Sequence, residues 1–338
     1  KGYTGKGVTS ALIDTPVDLS DPELAGANIV DKSRCTLEPS QTSSPHGNSM
    51  AAILVSQQYG VAPDATLYTY QTATDGAASS GSCKQGTQEL DTIANLINQA
   101  IDDGAQIISI SLSNNERSSE IKWAITRAIN EGVIIVSSSG NEAIYDDFSH
   151  LGRWSGVVGV TAINTDGTFA SYSSWGNGVV TAAVGGPVTI RDANTGELTT
   201  TSGTSNATAL VSGMLALARQ KWPEATTNQI LQSLVHSGLN PNHEWNQYTG
   251  YGAIDGGGLV IDDPSQYPDE NPLLNKPGGS EPTADEVADY ADGLINPAAE
   301  RQVPDSYVYR GADDQVVLYL SDLKTPLHLG TSPRYHRK

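Results

Sequence analysis

Cysteine is scarce in this 338-residue sequence, with two in all, and phenylalanine and methionine are as rare. So few cysteines exclude a small disulfide scaffold, and Cys35 and Cys83 stand too far apart to seed a zinc site. The pair is expected to close one disulfide across the loops that flank His46, worth at most roughly 4 kcal/mol in the chain-entropy picture. Two free buried thiols are the alternative. Positive charge is also short: 19 Lys and Arg face 38 Asp and Glu, a formal net charge of −19. Nucleic acid and anionic membrane surfaces are therefore not expected partners, because phosphates would be repelled. The plain role of such a surplus is solubility. No run reaches the apolar length that crosses a bilayer, so no transmembrane segment is expected. No secretory signal opens the sequence either, and its first seven residues read as a mature or trimmed start.

What is present is a chain long enough to bury a full α/β core. Residues 8–13, 107–112, 133–137 and 157–163 are β-branched runs that read as buried strands. Residues 90–102, 121–130, 208–221 and 227–236 carry helical periodicity. The alternation predicts a parallel sheet flanked by helices. The helix over 208–221 is expected to stop at Trp222-Pro223. Composition changes after Asp262, where residues 263–272 and 276–282 have linker character. Residues 1–262 are thus read as the main domain. Residues 263–338 are read as a Pro-rich, acidic C-terminal extension that wraps the domain or is partly disordered. A short acidic helix is expected over 283–294 and a strand over 315–320.

Four residues stand where reactive groups gather in such sheets, at strand ends and helix starts. Asp14 ends the first strand, and Asn141 follows the strand end Ser137-Ser-Ser-Gly140. His46, in Pro45-His46-Gly47-Asn48, and Ser205, in Ser202-Gly-Thr-Ser205-Asn-Ala207, each open an apolar, helix-forming stretch. Singly they have ordinary roles: a turn aspartate, a surface histidine, a helix-capping serine, a turn asparagine. Together they carry a chemistry. An imidazole deprotonates a hydroxyl, a carboxylate orients the imidazole, and a carboxamide donates to developing negative charge.

These motifs resemble the subtilisin-like serine proteases (subtilases, peptidase family S8) from about residue 5 to 259. The resemblance also rests on Gly60-Val-Ala-Pro63-Asp-Ala-Thr-Leu67, on Val211-Ser-Gly213 after the serine, and on Tyr248-Thr-Gly-Tyr-Gly252-Ala-Ile-Asp255. It implies a three-layer α/β fold with a mostly parallel central sheet flanked by helices, plus the C-terminal extension. It makes Ser205 the nucleophile, His46 the general base, Asp14 its orienting carboxylate, and Asn141 the oxyanion donor beside the Ser205 amide. A substrate strand would lie between Ser111, Leu112 and Ser113 on one side and Ser138, Ser139 and Gly140 on the other. Glu142, Asp146 and Asp147 would then either favour a basic residue before the cut or form a plain solvated loop.

The implied partner is a protein or peptide substrate, with a propeptide or secretion-machinery partner possible in this family. The implied location is secreted or extracytoplasmic, with any membrane anchor in a segment outside this chain. No organic or redox cofactor is required. The stretch from His46 to Gly60 is too short for a family calcium loop, and Gln57, Gln58 and Tyr59 are poor ligands for a hard cation. Structural calcium elsewhere stays open, since Asp18, Asp21 and Glu23 form an acidic turn, though a plain loop is the expected reading of that turn. The cysteine pair around the histidine and residues 245–255 are similar to mycosins, actinobacterial proteases associated with type VII secretion. Mycosins carry a C-terminal membrane anchor that has no counterpart here.

The sequence also departs from the family pattern, at Pro16, Asn48, Asn206, Ala209 and Leu210. These departures leave a second reading: a binding or scaffold protein on the same fold with weak or lost protease activity. Chain order argues against an α/β-hydrolase esterase, as does Ala207, where a nucleophile elbow needs glycine.

Overall fold

The computed structural model describes residues 2–34, 44–72, 83–85, 88–112, 118–145, 150–191, 196–241, 244–277 and 281–295. Seven strands form the central sheet: β1 (Thr9–Asp14), β2 (Ile29–Asp31), β3 (Thr66–Gln71), β4 (Ile107–Ile110), β5 (Ile134–Ser138), β6 (Val157–Asn164) and β7 (Val179–Gly186). Their order is β2-β3-β1-β4-β5-β6-β7, and every neighbouring pair is parallel. β1 lies centrally, with Ile13 opposite Tyr70 of β3 and Ile110 of β4.

Side chains alternate across a strand, so one run of apolar residues feeds two cores. Leu12, Leu67, Ile107, Ile134 and Val158 face one layer, which holds α1 (Ser44–Val55), α4 (Thr204–Lys221) and α5 (Thr227–His236). Ala11, Ile13, Tyr70, Ile108 and Ile135 face the other, which holds α2 (Ile93–Asp102) and α3 (Ser119–Asn130). The three-layer α/β architecture expected from sequence is therefore the observed one.

Helix boundaries follow local chemistry. Thr92 and Ser118 cap α2 and α3 through their hydroxyls, and Thr226 with Gln229 forms a capping box on α5. α4 ends at Lys221 with Trp222 as its C-cap, before Pro223, as the sequence predicts, but starts at Thr204 rather than at 208. Several elements escape the sequence reading, the short edge strand β2 among them. β7 opens on Val179, Val180 and Thr181 but continues largely in alanine and glycine, so its branched run is short. The hairpin of β8 (Val188–Arg191) and β9 (Leu198–Thr201) is partly exposed and leads directly into α4.

Turns at Gly104 and Gly132 enter β4 and β5 at the rim opposite Asp14. Beyond 262 the chain runs along the back of the domain. Gln229 and Gln232 of α5 donate to the carbonyls of Tyr267 and Glu270, at 3.3 and 2.8 Å. Lys276 is buried and donates to the carbonyls of Gly152 and Gly178, at 2.5 and 3.0 Å. α6 (Ala284–Ala291) then packs on α3, with Lys122 bonded to Glu286 at 2.9 Å and Trp123 stacked on Tyr290. The strand expected over 315–320 lies outside the described residues.

Candidate active site

β1 delivers Asp14 to the carboxyl rim of the sheet, and α1 brings His46 over it. Asp14 is 1% exposed, so its carboxylate must be hydrogen-bonded to offset lost hydration. Its Oδ1 accepts from His46 Nδ1 at 2.7 Å, from the Thr15 amide at 2.7 Å and from the Thr15 hydroxyl at 3.2 Å. The carboxylate is acceptor-only, so the proton sits on Nδ1 and leaves Nε2 as the basic nitrogen. Burial pulls the His46 pKa down, but the charge and hydrogen bond of Asp14 outweigh it, and the net shift is upward from the ordinary histidine value. The His46 side chain keeps 35% of its surface exposed, enough to meet a ligand.

The fit between these segments is close. The Gly47 amide donates to Thr15 Oγ1 at 2.9 Å, and a Cβ at Gly47 would fall 2.4 Å from the Thr15 carbonyl oxygen. Only glycine lets α1 start so near the end of β1.

α4 carries Ser205 in its first turn, where amides and helix dipole favour negative charge. The Thr204 amide goes to Asn141 and the Asn206 amide to the Gly203 carbonyl. The Ser205 amide is left as a first-turn donor with no protein acceptor among the described residues. Ser205 is 9% exposed. Its hydroxyl donates to the Ser111 carbonyl at 3.4 Å and makes no hydrogen bond to His46.

Strand register brings the two halves together. Ile13 is opposite Ile110 and Ile110 opposite Ser137, so Asp14, Ser111 and Ser138 leave the rim side by side. His46 is held by the first of them and Ser205 by the second.

Asn141 is exposed at the end of the segment after β5. Its Oδ1 accepts from the Thr204 amide at 2.8 Å and hydroxyl at 3.0 Å, which fixes the carboxamide and frees Nδ2 to donate. Gly140 before it has φ +98°, and a Cβ there would lie 2.4 Å from Glu142 Oε2. Ser174 holds this loop by its amide to the Gly140 carbonyl at 2.9 Å and its hydroxyl to Glu142 Oε2 at 3.2 Å.

Of the expected substrate edges, Ser111, Leu112, Ser138 and Gly140 are buried at the rim and Ser139 is half-buried. The Ser139 amide and Gly140 carbonyl each already have a protein partner, in Val160 and Ser174. Ser113, Asp146 and Asp147 lie outside the described residues. Glu142 is bonded to Ser174 beside Asn141. Cys83 is buried and is not a free thiol, while Cys35 lies outside the described residues.

Asp18, Asp21 and Glu23 each direct an oxygen at protein donors: Ser20, Asn48 and Arg191. Among the described residues no cluster of three His, Cys, Asp or Glu is arranged to hold a metal ion, and no helix is long and apolar enough to cross a membrane. Sequence reasoning missed Thr15 and the side-chain role of Ser111. A hydroxyl directly after the strand-end aspartate was the signal for the first; the second had none.

Comparison with known proteins places the chain. The Subtilase family (Peptidase S8) matches residues 5–252. The thermostable alkaline protease of Halalkalibacterium halodurans is 30% identical over 270 residues, covering 77% of this chain and 68% of that protein. Subtilisin E of Bacillus subtilis is 30% identical over 246 residues, covering 69% of this chain and 61% of that protein, so the chain spans about three fifths of its length. MycP1 of Mycobacterium smegmatis shares the fold, with a TM-score of 0.64 at 24% identity over 79% of this chain and 82% of that one. The chain belongs to the subtilase family and is, by that membership, a serine-protease hydrolase.

Proposed function

We propose that the chain is a serine endopeptidase working through an acyl-enzyme. His46 Nε2 takes the Ser205 proton as Oγ bonds to the scissile carbonyl carbon, and Asp14 holds the imidazolium. Asn141 Nδ2 and the Ser205 amide donate to the oxyanion. The intermediate collapses by breaking the C–N bond, and His46 gives its proton to the leaving amine. Water then repeats the sequence to release the acid. No organic or redox cofactor enters, and no step depends on calcium.

The observation that carries this reading is the 2.7 Å bond from His46 Nδ1 to Asp14, at the rim that also holds Ser205. Its test is Ser205→Ala: a peptide library cleaved by the parent should stay intact with the variant, while the fold is kept. A serine-directed phosphonylating reagent should label Ser205 in the parent. Cleavage by the variant at the parent's rate would remove Ser205 from this role.

A second reading has one observation in its favour: the Ser205 hydroxyl is bonded to the Ser111 carbonyl rather than to His46. On that reading the fold binds a partner and cuts slowly or not at all. Absence of both labelling and cleavage at neutral pH would select it.

Extracytoplasmic work on protein substrates fits the family, and a Cys35–Cys83 disulfide fits an oxidising compartment. Intact mass before and after reduction tests that bond. MycP1 comes from the ESX-1 type VII secretion system, and a secretion-associated partner is the corresponding proposal for this chain.

A further inference from the structure

Asn48 departs from the family pattern two residues after His46, and its side chain is engaged on every polar atom. It is 4% exposed. Its Oδ1 accepts from the Asp18 amide at 2.8 Å, and its Nδ2 donates to Asp21 Oδ2 at 2.7 Å and to the Asp18 carbonyl at 3.3 Å. Three successive residues at the start of α1 thus grip the segment after β1: His46 by Asp14, Gly47 by the Thr15 hydroxyl, Asn48 by Asp18 and Asp21.

We propose that Asn48 is a positioning residue for His46, clamping the first turn of α1 to the 18–21 turn so that imidazole and Asp14 carboxylate keep their register. One hydrogen bond leaves a ring free to swing about it. Two further anchors within one helical turn, about 5 Å of axis, remove that freedom.

The far end of the clamp is fixed as well. Asp21 Oδ1 accepts from the Glu23 amide at 2.9 Å, and Glu23 Oε1 pairs with Arg191 Nε of β8 at 2.8 Å. The hairpin holding Arg191 runs on through β9 into α4 and Ser205. A continuous series of polar contacts and backbone therefore links base and nucleophile outside the cleft. The charged groups facing the start of α1 from this side are Asp14, Asp18 and Asp21, with Glu23 and Arg191 behind them.

The inference rests on the protease reading, and the experiment separates the two. Asn48→Ala and Asn48→Asp would be compared with the exchange Asp21→Asn/Asn48→Asp, which keeps the Asn–Asp bond with donor and acceptor reversed. Three quantities are read on the full chain: kcat, KM, and the His46 ring titration by NMR. Asn48→Ala and Asn48→Asp should lower kcat about tenfold or more with KM within about twofold, as expected for a misplaced catalytic group. They should also move the His46 midpoint, and the exchange should restore both.

A lower melting temperature with kcat and His46 midpoint unchanged would overturn the proposal and leave Asn48 a purely structural residue. If Asn48→Ala does not fold, Asn48→Asp against the exchange decides. Recovery on exchange supports the clamp, and equal kcat in parent, single variant and exchange overturns it. A parent that hydrolyses nothing would sink the protease reading alone, because the NMR midpoints still test the clamp.

Discussion

Ser111 and Ser205 are joined by two hydrogen bonds of equal length: the Ser205 hydroxyl donates to the Ser111 carbonyl at 3.4 Å, and the Ser111 hydroxyl donates to the Ser205 carbonyl at 3.4 Å. Bonds that long lie beyond the usual O–H···O range and hold the nucleophile weakly. A bond that weak gives up the Ser205 hydroxyl at little cost, and catalytic hydrogen bonds often tighten only when substrate is bound. Ser111→Ala should therefore change stability by no more than about 1 kcal/mol. It should leave kcat within about threefold, since the carbonyl it shares with Ser205 is main chain. A tenfold fall in kcat would make the Ser111 hydroxyl part of the machinery.

Asn141 is oriented by Thr204, not by substrate. Asn141→Ala should lower kcat by about 10²–10³, the loss found when subtilisin's own oxyanion amide is removed, with KM changed little. Steady-state kinetics on one peptide substrate measures both. Loss confined to KM would mean that the carboxamide binds ground state and transition state equally.

The pH dependence follows from the direction of the His46 shift. Asp14 raises the imidazole pKa, so the base is protonated over a wider range. The acid limb of kcat/KM should have its midpoint above the usual histidine value of about 6.5. The stability sign is the opposite of a carboxylate's. The pair's contribution is fully present below about 6.5 and fades as pH rises through the higher folded-state value. Asp14→Asn should bring the midpoint down and lower kcat together. A midpoint at or below 6.5 in the parent would contradict this account.

Lys276 titrates the other way. Full burial drives its pKa well below that of a free lysine. Between that value and the unfolded one the unfolded chain binds the extra proton, so the parent's stability rises with pH across the interval. Lys276→Met removes this slope and strands the carbonyls of Gly152 and Gly178, at a cost of roughly 1–3 kcal/mol each. Denaturant melts of parent and variant over a pH series measure it. Parallel curves would show that Lys276 keeps its charge in the folded protein.

The site was legible in sequence where its chemistry is local. Asp14 ends a β-branched run, and His46 and Ser205 each open a helix within a stretch of a few residues. α5 was readable at its observed bounds because Thr226 and Gln229 spell a capping box ahead of an apolar face. β7 was not, because its branched opening Val179-Val-Thr181 is short and Ala182, Ala183, Gly185 and Gly186 dilute the signature of a strand. The grip of Asn48 on Asp21 spans 27 positions and that of Ser111 on Ser205 spans 94, so neither has any pattern along the chain. Such pairings exist only once register is set.

A sheet whose strands all run one way separates the molecule's two ends as cleanly as a handle from a blade. The turn at Gly104 enters β4 from the end opposite Asp14, with open space around it, though its φ of +86° reserves that one position for glycine. The strand between spans roughly 13 Å at about 3.3 Å per residue. A cysteine-free linker or dye grafted at that turn would tether the protein to a surface with its reactive rim turned outward to solution.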